Sequence, residues 1–158
     1  MKKDPCCTPT PVREALEDDS YLVNHVQDGL GAVKDKDKKL IDASIRTQFA
    51  DSLDTDEAFR VGRDQEPRWD YLLGHENSSL IAVEPHSAKT DEIQAVINKK
   101  RALRQQLNGH LRDGMHISKW LWVASGKICF PPGSKYQLKL SQAGIKLVGR
   151  SVLAKHLV

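Results

Sequence analysis

Asp70, Glu84 and His86 are the residues whose types and spacing best suit chemistry in this chain. Asp70 opens a short apolar stretch over 71–74, and Glu84 closes a second one over 80–83. The polar run 75–79 between them has the length and composition of a hairpin connection, so the two stretches read as neighbouring strands. Residues two apart on a strand share a face, which puts Glu84 and His86 side by side. Two converging carboxylates offer hard oxygen ligands to a divalent cation and leave positions open for water and a phosphate. A cation held there acidifies the attacking water and offsets charge developing on a phosphoryl group. His86 adds a group that titrates near neutral pH, suited either to general-base work or to a third ligand position that favours Mn²⁺.

The elements that must position these groups follow from periodicity and punctuation. Ala15, Leu16, Leu22, Val23 and Val26 recur at near-helical spacing, predicting a helix over 12–30 that ends at Gly29 and Gly31. The alternating charges of 34–39 read as a solvated linker or helix start. The segment 40–49 fits strand and helix equally. Asp54 or Thr55 caps a further helix, with Glu57 in its first turn. Thr90 starts a helix running to about Leu107, acidic at its opening (Asp91, Glu92) and basic in its body, with Ile93, Val96, Ile97, Leu103 and Leu107 as its buried stripe. A strand over 116–124, a short helix over 138–143 and a last strand over 145–148 complete the reading. The helix between the second and third strands permits a crossover onto a partly parallel sheet, so the expected class is α/β. Residues 1–38 are expected to form an N-terminal tail with a possible helix, and 39–158 a single domain.

Asp70 at the start of one strand, Glu84-Pro85-His86 at the end of the next, then a helix and another strand, resemble the PD-(D/E)XK, or restriction-endonuclease-like, superfamily over roughly residues 52–125. The resemblance implies a mixed central sheet with flanking helices and a restriction-endonuclease-like core. It implies hydrolysis of nucleic-acid phosphodiesters with Mg²⁺ or Mn²⁺ held by Asp70 and Glu84. The Pro85 carbonyl often helps in that family, and Glu57 stands where a helix carboxylate frequently contributes. Members often pair to cut two strands, so a homodimer is compatible with it. One position departs from the pattern: His86 occupies the place of the usual lysine. A replacement lysine would come from Lys89, or from Lys99 or Lys100 on the next helix.

Charge is distributed unevenly. Residues 1–89 carry 12 Lys and Arg against 18 Asp and Glu, whereas 90–158 carry 12 against 3. Such a basic half points to a polyanion, or to neutralisation by the acidic half across the fold. Lys99, Lys100, Arg101 and Arg104 are the candidate nucleic-acid backbone contacts; a plain solvated helix face is the rival reading. A non-catalytic nucleic-acid- or protein-binding module on the same fold, and an unrelated α/β protein with an incidental acidic pair, are the alternatives to the nuclease.

Composition limits the other classes. At 28% charged, 39% hydrophobic and a mean hydropathy of -0.50, the chain reads as a soluble globular protein. No run approaches the roughly 18 apolar residues of a membrane span. The basic N-terminus lacks the apolar stretch of a signal peptide, so a cytoplasmic location is expected. Cys6, Cys7 and Cys129 match neither a disulfide framework nor a zinc pattern. The six histidines include no metalloprotease pair, and no phosphate-binding glycine loop or nucleophile elbow is present. Trp69, Trp120 and Trp122 are expected in the core and His75 in an exposed turn.

Overall fold

Six strands form one mixed sheet whose spatial order follows the chain: β1 (Gln27–Asp28), β2 (Phe49–Asp54), β3 (Tyr71–His75), β4 (Leu80–His86), β5 (Ile117–Ala124) and β6 (Lys146–Leu147). The computed structural model describes residues 9–131 and 133–158. The helices are α1 (Pro11–Ala15), α2 (Asp35–Lys38), α3 (Thr55–Ala58), α4 (Ile93–Gln106) and α5 (Lys135–Gln142). β1 to β4 pair antiparallel, and β4, β5 and β6 run parallel. A parallel step needs a long return, and α4 and α5 supply the two crossovers. The mixed α/β class and the crossover expected between the strands of Glu84 and Trp122 are both observed.

Residues 71–74 of β3 and 80–83 of β4 form near-continuous apolar runs because both faces of the sheet are covered. On one face Leu53, Leu72, Ala82, Trp120 and Trp122 pack against Val12, Leu16 and Leu22 and the α4 stripe of Ile93, Val96 and Leu103. On the other, Tyr71, Leu73, Ile81, Val83, Leu121 and Val123 meet Val33, Ile41, Ile45, Val152 and Leu157. All three tryptophans are buried as expected, with Trp69 edge-on to Trp120 at 5.1 Å between centroids. Among the described residues no helix is long and apolar enough to cross a membrane.

The N-terminal third differs from the periodicity reading. The helix expected over 12–30 stops after Ala15; a 3₁₀ turn at Tyr21–His25 and the short β1 follow. The apolar residues there recur at helical intervals, but Ser20 takes up the Leu22 N–H with its side chain and opens a new turn. Val12, Leu16, Leu22 and Val26 belong to the same core cluster as residues of β3 to β5. β2 escaped notice because Asp51, Ser52 and Asp54 break its apolar pattern. Asp51 is fully buried yet satisfied, accepting the Val12 and Arg13 N–H groups at 3.1 and 3.0 Å. His75, expected in the open, is buried: its ring lies edge-on to Phe49, and Nε2 meets Gln48 Oε1 at 3.0 Å. The tail cysteines Cys6 and Cys7 lie outside the described residues, and Cys129 is exposed.

Candidate functional site

The parallel register puts Glu84 beside Trp122, near the C-terminal end of β4, and the antiparallel register pairs Tyr71 with Val83, so Asp70, just before β3, comes alongside Glu84. The backbone of Asp70 meets the Glu84 side chain: the Asp70 N–H donates to Glu84 Oε1 at 3.0 Å. Glu84 is fully buried. Its other oxygen, Oε2, receives the Lys99 ammonium at 2.7 Å and faces His86 Nδ1 at 3.4 Å. Glu84 and His86 thus share a strand face, as their spacing requires. Lys99 arrives from the second turn of α4, which lies over that face.

Burial and neighbouring charge set the protonation of the cluster. Asp70 is pushed up to about 7, first by desolvation and then by the Glu84 charge, with Lys99 opposing both. Burial works against the Lys99 charge, yet Glu84 and, behind it, Asp70 hold the ammonium above the usual lysine range. His86 is raised above an ordinary histidine by its hydrogen bond to Glu84, against desolvation, and by a second bond from Nε2 to Glu92 Oε2 at 2.9 Å. A ring with a carboxylate at each nitrogen donates to both only as imidazolium. Glu92 in turn is lowered by that bond. His86 therefore lies between two acids that both favour its protonated form.

No family model, no curated protein and no solved structure matches this chain. What the site does must be argued from its own geometry.

Glu57 is exposed and pairs with Arg60 at 2.8 Å on the surface of α3. Its neighbour Asp56 is the acid that the cluster feels. The Asp56 N–H reaches the Asp70 carbonyl at 3.4 Å, its carboxylate binds Arg68 at 2.9 Å, and its charge raises both Asp70 and Lys99. Asp54 and Thr55 both serve this turn, Asp54 accepting the Glu57 N–H and Thr55 donating to the Trp69 carbonyl. Asp56, Arg68 and Glu92 were not singled out from sequence. Glu92 carried one usable signal, its place in the first turn of a helix that follows His86.

The basic run on α4 divides. Lys99 points to Glu84, whereas Lys100 donates to the Ala143 carbonyl at 2.6 Å and sits over the Trp120 ring at 5.1 Å. Arg101 and Arg104 are exposed and line different grooves of about 500 and 440 Å³. Among the described residues no group of three or more His, Cys, Asp and Glu side chains is placed to hold a metal ion. Asp70 and Glu84 nonetheless have the donor chemistry of a hard-cation pair, and the Glu84 charge that raises Asp70 is what a cation between them would relieve.

Proposed function

We propose that the chain is a Mg²⁺- or Mn²⁺-dependent phosphodiesterase acting on nucleic acid, with a site of the restriction-endonuclease-like kind. The observation that carries this reading is the meeting of Asp70, Glu84 and Lys99 on one sheet face, supplied by two antiparallel strands and the crossover helix. Asp70 and Glu84 hold the cation. The cation supplies acidification of water and charge stabilisation at the phosphoryl group. Lys99 takes the part for which the strand offers His86: a permanent positive charge beside the carboxylates, able to orient a water or meet an oxyanion. His86, tied to Glu92, delivers a proton or a second positive charge near the leaving oxygen rather than acting as a base.

Calorimetric titration with Mn²⁺ and Mg²⁺, run on the unaltered chain and on Glu84→Ala, tests the centre of this reading. Binding that disappears in the variant supports it. Identical binding in both removes it.

A second reading has its own support. Both Glu84 oxygens are engaged, one by a backbone N–H and one by Lys99, so the cluster is internally satisfied. On that account the fold is a non-catalytic nucleic-acid- or protein-binding module whose former site is closed by an ion pair. Absence of metal binding to the unaltered chain, with and without an oligonucleotide present, favours it.

A further inference from the structure

A groove of about 500 Å³ runs between the segment 63–67 and the outer face of α4. Arg63 stands on one wall and Arg101 on the other. Arg101 is exposed and pairs with no carboxylate among the described residues; Arg63 is held over the Phe59 ring at 5.6 Å and loosely paired with Glu66 at 3.5 Å. Gln106 lines the same groove and is buried. Its amide nitrogen donates to the Pro67 carbonyl at 3.3 Å, a long bond, while its Oε1 is buried with no partner among the described residues. An acceptor left in that state has lost its water without compensation, and native interiors rarely leave one so.

Two connections link the groove to the candidate site. Asn98, on its helix wall, immediately precedes Lys99. On the other wall Arg68 binds both the Arg63 carbonyl and the Asp56 carboxylate, whose own N–H reaches the Asp70 carbonyl.

We propose that this groove seats one unpaired nucleotide flanking the reacting phosphate, its phosphate between Arg63 and Arg101 and an N–H of its base donated to Gln106 Oε1. The inference rests on the reading that the chain acts on nucleic acid. Two guanidiniums lining one groove suit a phosphate. The buried acceptor asks for a donor, and every base carries an N–H on its pairing edge. That edge is free only when the base is unpaired, so the substrate class is single-stranded, or a duplex with an unpaired nucleotide next to the cut. Because all four bases carry such an N–H, base preference is weak.

The test is fluorescence anisotropy with a labelled 12-nucleotide single strand and the matching duplex, in EDTA so that neither metal binding nor cleavage enters. The single strand is expected to bind the unaltered chain more tightly than the duplex. Arg63→Ala and Arg101→Ala each weaken it about fivefold and each lower the salt slope by about one. Glu66→Gln, which removes the anion beside Arg63, strengthens it. Gln106→Met weakens it while leaving the salt slope unchanged, and Lys155→Ala, remote from the groove, changes nothing. Arg101 is exposed, so its variant is informative even if Gln106→Met folds poorly. Equal binding of duplex and single strand, no binding of either, or indifference to Arg63→Ala and Arg101→Ala overturns the proposal. Glu84→Ala in the same assay separates the two claims. Retained binding there, beside a failed metal titration, removes the catalytic reading and leaves the groove.

Discussion

The Lys99 ammonium lies 2.7 Å from Glu84 Oε2, joining the crossover helix to the buried end of β4. Glu84 is fully buried and Lys99 mostly so, which makes the pair costly to break on one side. Removing the cation leaves a buried carboxylate with only His86 and one N–H for company. Lys99→Met is therefore expected to lower stability by about 3 kcal/mol. Lys99→Met combined with Glu84→Gln recovers most of that loss, because no charge is then stranded. Urea unfolding of the two singles and the double measures the coupling; a coupling near zero means that Lys99 does not hold Glu84 in solution.

Asp70 makes stability depend on pH in a stated direction. Its carboxyl is raised to about 7 in the folded chain against an ordinary 3.8. The folded state thus binds a proton that the unfolded state has already released across that window. Its contribution favours the protein at low pH and is lost as pH rises from about 4 through 7. Asp70→Asn mimics the protonated group, so it is expected to stabilise the metal-free protein at pH 8 by about 2 kcal/mol and to change little at about pH 3. Thermal melts at the two pH values check this. On the proposed function the same group releases a proton when a cation binds near pH 6, so metal affinity rises between pH 6 and 8.

His86 acts in the same sense. A histidine raised by carboxylate partners contributes stability that is complete below its unfolded value of 6.5 and disappears as pH rises through its folded value. Glu92→Gln removes one of the two partners. The expected result is a downward move of the His86 midpoint, read from its ring proton shifts by NMR, with the Glu84 bond keeping part of the elevation. A midpoint unmoved by Glu92→Gln shows that the Nε2 bond does not persist in water.

Much of this arrangement is legible in the amino-acid sequence. Asp70, Glu84 and His86 were marked by strand spacing alone, because a period of two leaves little choice about which side chains share a face. α4 was equally plain, since its apolar stripe is continuous and its termini are charged in the dipole's favour. Lys99 was one of three lysines within reach, and only the angle at which α4 lies on the sheet distinguishes it from Lys100 one residue on. Asp56 was hidden in the same way beside Glu57: adjacent helix residues differ by about 100° in direction, and sequence gives no absolute rotation. β2 was missed because its polar residues are satisfied by partners far along the chain, the kind of pairing that local pattern does not carry.

Asp51 and Gly74 show that hidden pairing most clearly. Asp51 caps the first N–H groups of α1 from β2, and Gly74 on β3 lies against it. A Cβ added at Gly74 falls 2.0 Å from Asp51 Oδ1 and 2.9 Å from Pro11 Cβ. The cap and a methyl group cannot share that space, so Gly74→Ala must displace the carboxylate from α1. The expected cost is about 3 kcal/mol, combining overpacking with one buried and one part-buried N–H group left unpaired. A denaturation midpoint within 0.5 kcal/mol of the unaltered chain, roughly the scatter of neutral surface changes, contradicts the close approach.

The α4 cations also differ in kind, and Lys100 supplies the contrast. It bonds the Ala143 carbonyl at the end of α5 and lies over Trp120, and burial together with Arg104 lowers it below the usual lysine range. A group so placed ties two helices and a strand together. Lys100→Met is expected to lower stability by about 1 kcal/mol, the sum of a lost hydrogen bond and a partly shielded cation–π contact. Its effect on the salt slope of oligonucleotide binding is expected to be nil, whereas Arg101→Ala changes the slope and leaves stability alone. Unfolding curves and salt titrations on these two variants divide the basic stripe. A slope that drops with Lys100→Met returns Lys100 to the binding surface and removes the tether.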